Sequence, residues 1–169
     1  GIGKGAACDE AVAAYRTAGA ECGIISAGGS SLGLFGTKAD GTPWKIAIRD
    51  PNSSDNSVTE MAELNLDSGF VSTSGVYEKK FTQNGITYHH LLNPKTGYPE
   101  NNGLVSVTVV TPNGALSDGL STACFVLGLE KGEALLKQYQ CEGVFIDRAR
   151  NVYVTAGLKS RLKIINSKY

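Results

Sequence analysis

The sequence carries no excess of either charge. Sixteen Lys and Arg balance sixteen Asp and Glu over 169 residues. There is thus no global attraction to nucleic-acid phosphate or anionic lipid, and no nucleic-acid partner is expected without a local patch. No apolar run approaches the roughly 18 residues that a membrane-spanning helix needs. No two of the four cysteines, Cys8, Cys22, Cys124 and Cys141, form a C-x-x-C pair, which argues against a zinc ribbon or a thioredoxin-type motif. Buried free thiols are the preferred reading, with a Cys8–Cys22 disulfide as the alternative. An initiator Met, a signal-peptide pattern and an internal repeat are all absent, so the compartment is not legible from the first residues.

What is present suits one folded domain. The hydrophobic fraction is 41% and the charged fraction 19%, enough for a core and too apolar for disorder. Glycine is over-represented, 21 residues or about 12% against roughly 7% on average, which points to turns and to backbone that something approaches closely. Good helix formers over Ala6–Thr17 predict a helix ended by Gly19. Strands are expected over Cys22–Ser26, Leu32–Phe35, Trp44–Ile48, Val58–Leu66 and Gly69–Thr73, with a polar loop over Asp50–Ser57. Asn84-Gly85 predicts a hairpin between Val76–Phe81 and Ile86–Leu92, because both turn positions tolerate positive φ. Asn93–Pro99 reads as a turn cluster and Leu104–Val110 as a β-branched strand. Leu116, Leu120, Ala123 and Leu127 form one apolar stripe on a helix over Ala115–Leu127. A second helix follows over Glu130–Tyr139, then a hairpin of Val144–Asp147 and Val152–Thr155. The expected class is α+β, with mixed, mainly antiparallel sheets packed with helices.

Four stretches carry candidate chemistry. Asp118 and Thr122 lie four residues apart, on the side of their helix away from the leucine stripe. They present hard oxygens suited to Mg²⁺; the plainer reading makes Asp118 a cap at its own helix start. His89 and His90 are strand neighbours and point to opposite faces. One held beside the Asn93-Pro94 turn can act as a general base near neutral pH, and a satisfied structural histidine is the alternative. Gly28-Gly29-Ser30 after a strand is either an anion-binding nest or a plain turn. Gly1-Ile2-Gly3-Lys4-Gly5 at a helix start can hold phosphate, although it matches neither a P-loop nor a dinucleotide fingerprint.

Taken together and in order, these stretches resemble the ApbE-type flavin transferases, formerly described as thiamine-biosynthesis lipoproteins. The family's histidine motif, roughly His-x-Ile-Asp-Pro-x-Thr-Gly-x-Pro, is similar to His90-Leu91-Leu92-Asn93-Pro94-Lys95-Thr96-Gly97-Tyr98-Pro99. Its metal-binding helix resembles Ser117-Asp118-Gly119-Leu120-Ser121-Thr122-Ala123-Cys124-Phe125-Val126-Leu127-Gly128. Its Ala-Thr-Ser-Gly-x-Tyr-Glu-Arg-x-Phe stretch is similar to Ser72–Phe81, its paired glycines to Gly28-Gly29, and its Ile-Ala-Lys-Gly-Tyr-Ala-Val-Asp to Ile2–Asp9.

The resemblance implies a T-fold-like α+β domain and Mg²⁺-dependent transfer of FMN from FAD to a Thr or Ser hydroxyl of an acceptor flavoprotein, releasing AMP. Some relatives instead hydrolyse FAD to FMN and AMP. A non-catalytic flavin-binding half-domain is the remaining alternative. Position by position, the resemblance implies that Asp118 and Thr122 hold the metal with a backbone carbonyl at Gly1. It implies that Lys4 and Leu92 touch the flavin nucleotide, with Gly28 and Gly29 at its binding turn, and that His90 takes the acceptor hydroxyl's proton. Family members are about twice as long, and these motifs belong to their C-terminal half; the bacterial full-length forms are often exported and lipid-anchored, others cytoplasmic. Two positions depart from the pattern: Asn93 replaces the usual Asp, and Ser121 stands where some members carry Asp, which makes a second metal there less expected.

Overall fold

The computed structural model describes residues 1–53 and 57–169. Of the polar loop expected over Asp50–Ser57, residues 54–56 lie outside the described residues. The elements in chain order are α1 (Gly3–Thr17), β1 (Gly23–Ala27), β2 (Ser31–Phe35), β3 (Trp44–Arg49), β4 (Glu60–Leu66) and β5 (Gly69–Gly75). There follow β6 (Lys80–Gln83), β7 (Ile86–His89), β8 (Leu104–Thr111), α2 (Gly114–Leu127), α3 (Leu129–Gln138), β9 (Glu142–Asp147), β10 (Val152–Val154) and β11 (Leu162–Ile164).

Six strands form one sheet in the order β1-β2-β5-β8-β9-β10, antiparallel at every step. A smaller sheet, β11-β4-β3, packs on one face of it through Ile46, Ile48, Met61, Leu64, Leu66, Leu34, Val71, Val144 and Ile146. The helices cover the other face: Val107, Val109 and Phe145 meet Leu120, Cys124, Phe125 and Leu136, while α1 brings Cys8 and Val12 onto Phe35 and Phe70. Each such fully buried large side chain contributes on the order of 1.5–3 kcal/mol. Strand β8 changes phase on the way. Val105 packs between the sheets, yet Val107 and Val109 pack beneath the helices, and the bulge between Leu104 and Ser106 supplies the extra residue that turns the pleat over. The α+β expectation is thus met, with antiparallel pairing throughout.

Local boundaries differ for identifiable reasons. Helix α1 starts three residues before Ala6: at Gly5 its first turn runs against the Gly114 carbonyl, where a side chain cannot fit, and Asp118 accepts from the Gly5 N–H. The hairpin turn at Asn84-Gly85 has positive φ at both residues, as its composition requires. The paired strands are shorter than expected, Lys80–Gln83 and Ile86–His89, since the chain turns at Val76–Lys79 and leaves the ladder after His89. Strand β11 carries no legible pattern in three residues and was not expected. All four cysteines are free thiols; Cys8, Cys124 and Cys141 are buried, and burial pushes the Cys124 thiol up to about 12.

Candidate functional site

The helix-covered side of the sheet ends in a cavity of about 320 Å³ where β5, the first turn of α1 and one face of α2 converge. Gly1, Gly3, Lys4, Ser74, Glu78, Lys79, His90, Asp118 and Thr122 are among the residues that line it. Five of the sequence-predicted site residues, Gly1, Lys4, His90, Asp118 and Thr122, therefore meet at one place although they span more than a hundred positions. A larger cavity of about 940 Å³ opens elsewhere, beside Tyr88, His89, Tyr98 and Arg148, and contains none of the five.

Asp118 is not a cap of its own helix. Asn113 holds that role, its side chain accepting from the Leu116 N–H at 2.8 Å. Asp118 sits a turn further in, only 7% exposed, and its Oδ2 accepts from the Gly5 N–H of α1 at 3.0 Å. Thr122, one turn on, lies within 3.1 Å of the Ser74 hydroxyl, which also bonds Ser121 at 2.9 Å. With the Ser72–Ser117 pair at 2.8 Å, a ladder of hydroxyls ties β5 to α2 and fixes the height of the Asp118–Thr122 pair above the sheet. These donors suit a hard divalent cation. No cluster of three or more His, Cys, Asp or Glu that could hold a metal exists among the described residues. A carboxylate with neighbouring hydroxyls is a donor set that Mg²⁺, which keeps waters and shares phosphate oxygens, could use.

The two histidines diverge as strand alternation requires. His89 is 9% exposed, packs edge-on against Phe125 at 5.9 Å and donates from Nε2 to the Glu100 carbonyl at 3.2 Å. Its Nδ1 is buried without a partner, and burial holds its pKa below the usual value. His90 is exposed and lines the cavity, with its backbone N–H bound to the Lys79 carbonyl at 3.1 Å. The turn beyond it explains the Asn93 departure. Asn93 Nδ2 donates to Glu100 Oε2 at 2.7 Å, where an Asp would set two carboxylates against each other.

The remaining predicted residues lie at the margin or outside. Gly28 and Gly29 both have positive φ in the β1–β2 turn, which is reason enough for glycine there; Gly28 lies against the Lys4 side chain, while Ser30, not the glycines, lines the cavity. Leu92 is half exposed and pairs its backbone with Pro99; its neighbour Leu91 lines the cavity instead. Sequence reasoning assigned no role to Ser74, Lys79 or Asp9. The first two fall inside the Ser72–Phe81 stretch and were discoverable there. Asp9 reads as an ordinary helix residue, yet its carboxylate accepts from the Gly114 and Ala115 N–H groups of α2 at 2.6 and 2.8 Å.

A family model described as the ApbE family matches residues 1–145, and the chain belongs to that family. Among its relatives, the FAD:protein FMN transferase of Treponema pallidum is 32% identical over 176 residues, covering 99% of this chain and 48% of that protein. The FAD:protein FMN transferase of Vibrio cholerae is 37% identical over 139 residues, covering 82% of this chain and 41% of that protein. Among solved structures, the flavin transferase ApbE from Vibrio cholerae superposes with a TM-score of 0.78 at 32% identity, covering 94% of this chain and 50% of that one. The apo flavinyl transferase ApbE of Pseudomonas stutzeri superposes at 0.76 with 34% identity, covering 95% and 49%. The chain spans about half the length of the relatives it matches. No helix among the described residues is long and apolar enough to cross a membrane.

Proposed function

We propose that these residues build the metal and phosphate side of a site that moves FMN from FAD to a Thr or Ser hydroxyl of an acceptor protein, with AMP as the leaving group. The observation that carries this reading is the meeting of Asp118, Thr122, Lys4 and His90 at one cavity from three separate segments. A diphosphate is dense in negative charge, and the cavity sets two ammonium groups, Lys4 and Lys79, beside two carboxylates, Glu78 and Asp118, a balanced lining to which a bound divalent cation would add the positive charge. Lys4 neutralises phosphate oxygens from the first turn of α1, where backbone N–H groups add to the attraction. Asp118 and Thr122 would hold Mg²⁺, which when bound supplies charge neutralisation at the transferring phosphorus.

The rest of the chemistry belongs to side chains. An alcohol is a weak nucleophile, and His90, exposed and lining the cavity, is placed to take the hydroxyl proton as the oxygen attacks. His89, by contrast, is locked in place by Glu100 and Phe125 and has no access. A general base contributes roughly a hundred- to ten-thousandfold, so His90→Ala should lower the rate of acceptor flavinylation by that range. The test is fluorescence of the acceptor band in a denaturing gel after incubation with FAD, Mg²⁺ and an acceptor carrying a Thr target. A covalent band that disappears in Asp118→Ala supports transfer. AMP release that needs no acceptor but still needs Asp118 would replace transfer by FAD hydrolysis, and a signal indifferent to Asp118 would sink both.

A further inference from the structure

Helices α1 and α2 meet at their first turns, closer than side chains allow. A Cβ on Gly5 would fall 1.9 Å from the Gly114 carbonyl oxygen, and one on Gly114 would fall 2.3 Å from the Gly5 oxygen. Two helix N-termini brought together set two positive dipole ends and two groups of unpaired N–H donors against each other. The chain resolves this reciprocally. Asp9 of α1 reaches across to the Gly114 and Ala115 N–H groups at 2.6 and 2.8 Å, and Asp118 of α2 reaches back to the Gly5 N–H at 3.0 Å. The exchange is needed on both sides. Ile2, at the start of α1, makes no side-chain cap, and Asn113 serves only the Leu116 N–H of α2.

We infer that Asp9 is a positioning residue for the metal and phosphate site: by clamping α2 to α1 it sets where the Asp118–Thr122 pair stands relative to Lys4. Asp9 does not line the cavity, so it acts only through the helices it joins. One helix carries Lys4 and the other carries Asp118 and Thr122, and the Asp9 clamp is the polar link between them that leaves Asp118 undivided. Removing it transfers the whole task of joining the helices to Asp118, which must then hold the Gly5 amide without help. The inference rests on the functional reading above only for the identity of what binds there.

Two measurements on the full chain separate Asp9 from a residue of general stability. The first is amide hydrogen exchange in Asp9→Ala and Asp9→Asn, the latter keeping one acceptor oxygen should the alanine variant not fold. Protection of the Gly5 amide, which Asp9 does not touch, should fall about tenfold in Asp9→Ala, the size of a typical capping contribution. The amides of Val107 and Val109 in β8 should keep theirs. Unchanged Gly5 protection, or an equal loss everywhere, overturns the inference. The second is Mn²⁺ binding followed by the electron paramagnetic resonance of the free ion. Affinity should weaken about tenfold in Asp9→Ala, less in Asp9→Asn, and vanish in Asp118→Ala. Equal Mn²⁺ affinity in wild type and Asp9→Ala overturns the inference. If the wild type fails to bind Mn²⁺, or Asp118→Ala binds as well as wild type, the metal reading falls instead, and Gly5 protection alone decides the role of Asp9.

Discussion

Two adjacent histidines show how far a residue's surroundings decide its work. The carbonyl of Glu100 accepts from His89 Nε2, so the bare Nδ1 is the atom a second proton must join, and that atom is buried with no acceptor in reach. Desolvation first, then the neighbouring His90 and Arg148 charges, hold its pKa below the ordinary value of about 6.5. The unfolded chain therefore binds a proton at this residue more readily than the folded one. Stability from His89 is complete above about pH 6.5 and is lost as the pH falls below that value toward the lower folded pKa. The urea midpoint of the wild type should drop between pH 7.5 and 5.5, and His89→Gln should flatten that part of the dependence. An equal slope in the variant would remove His89 as the cause. Alternation along a strand was enough to foresee that His89 and His90 face different surroundings. Which of them is packed depended on Phe125 and Glu100, residues that no local pattern connects to either.

Glycine in a helix ordinarily costs stability, and replacing it by alanine gains about 0.5–1 kcal/mol. In α1 the sign should reverse at position 5. The added methyl would collide with the Gly114 carbonyl, and two rigid first turns have no flexible side chain to move aside. Gly5→Ala should lower stability by about 1–3 kcal/mol or more, read as a lower urea midpoint with an unchanged slope, whereas Gly3→Ala, with open space around it, should be neutral or stabilising. Element types were largely legible, because periodicity, β-branched runs and Asn84-Gly85 are local signals. Limits and partners were not. The start of α1 depends on a carboxylate 113 positions away, and the phase change in β8 depends on a bulge that only pairing with β9 reveals. The same holds for Asp9, whose role exists only once two helices about a hundred positions apart touch. The candidate site was more legible than its supports: Lys4, His90, Asp118 and Thr122 stand out by their chemistry within motifs of fixed order, while Ser74 and Asp9 lie in the same motifs with nothing local that marks them.

For the whole molecule, a ligand that binds only the folded state raises stability by mass action, about 2.7 kcal/mol at a hundredfold excess over its dissociation constant. Under the proposed function, FAD with Mg²⁺ should therefore raise the Tm by about 5–10 °C for a chain of this size. The Mg²⁺-dependent part of the rise should be missing in Asp118→Ala. A rise independent of Asp118 would place the cation elsewhere.

The small sheet makes the folding of this chain depend on pairing between strands far apart in sequence. Strand β11 pairs Lys163 with Glu63, one hundred positions earlier, and Tyr169 reaches back to bond Asp50. During synthesis the edge of β4 stays unpaired until β11, about a hundred positions later, has been made. Such long-range closure slows folding and lengthens the time that sticky surface is available to neighbours. A chain cut just before Leu162 should thus emerge as an aggregation-prone nascent product even though every residue lining the cavity has already been made.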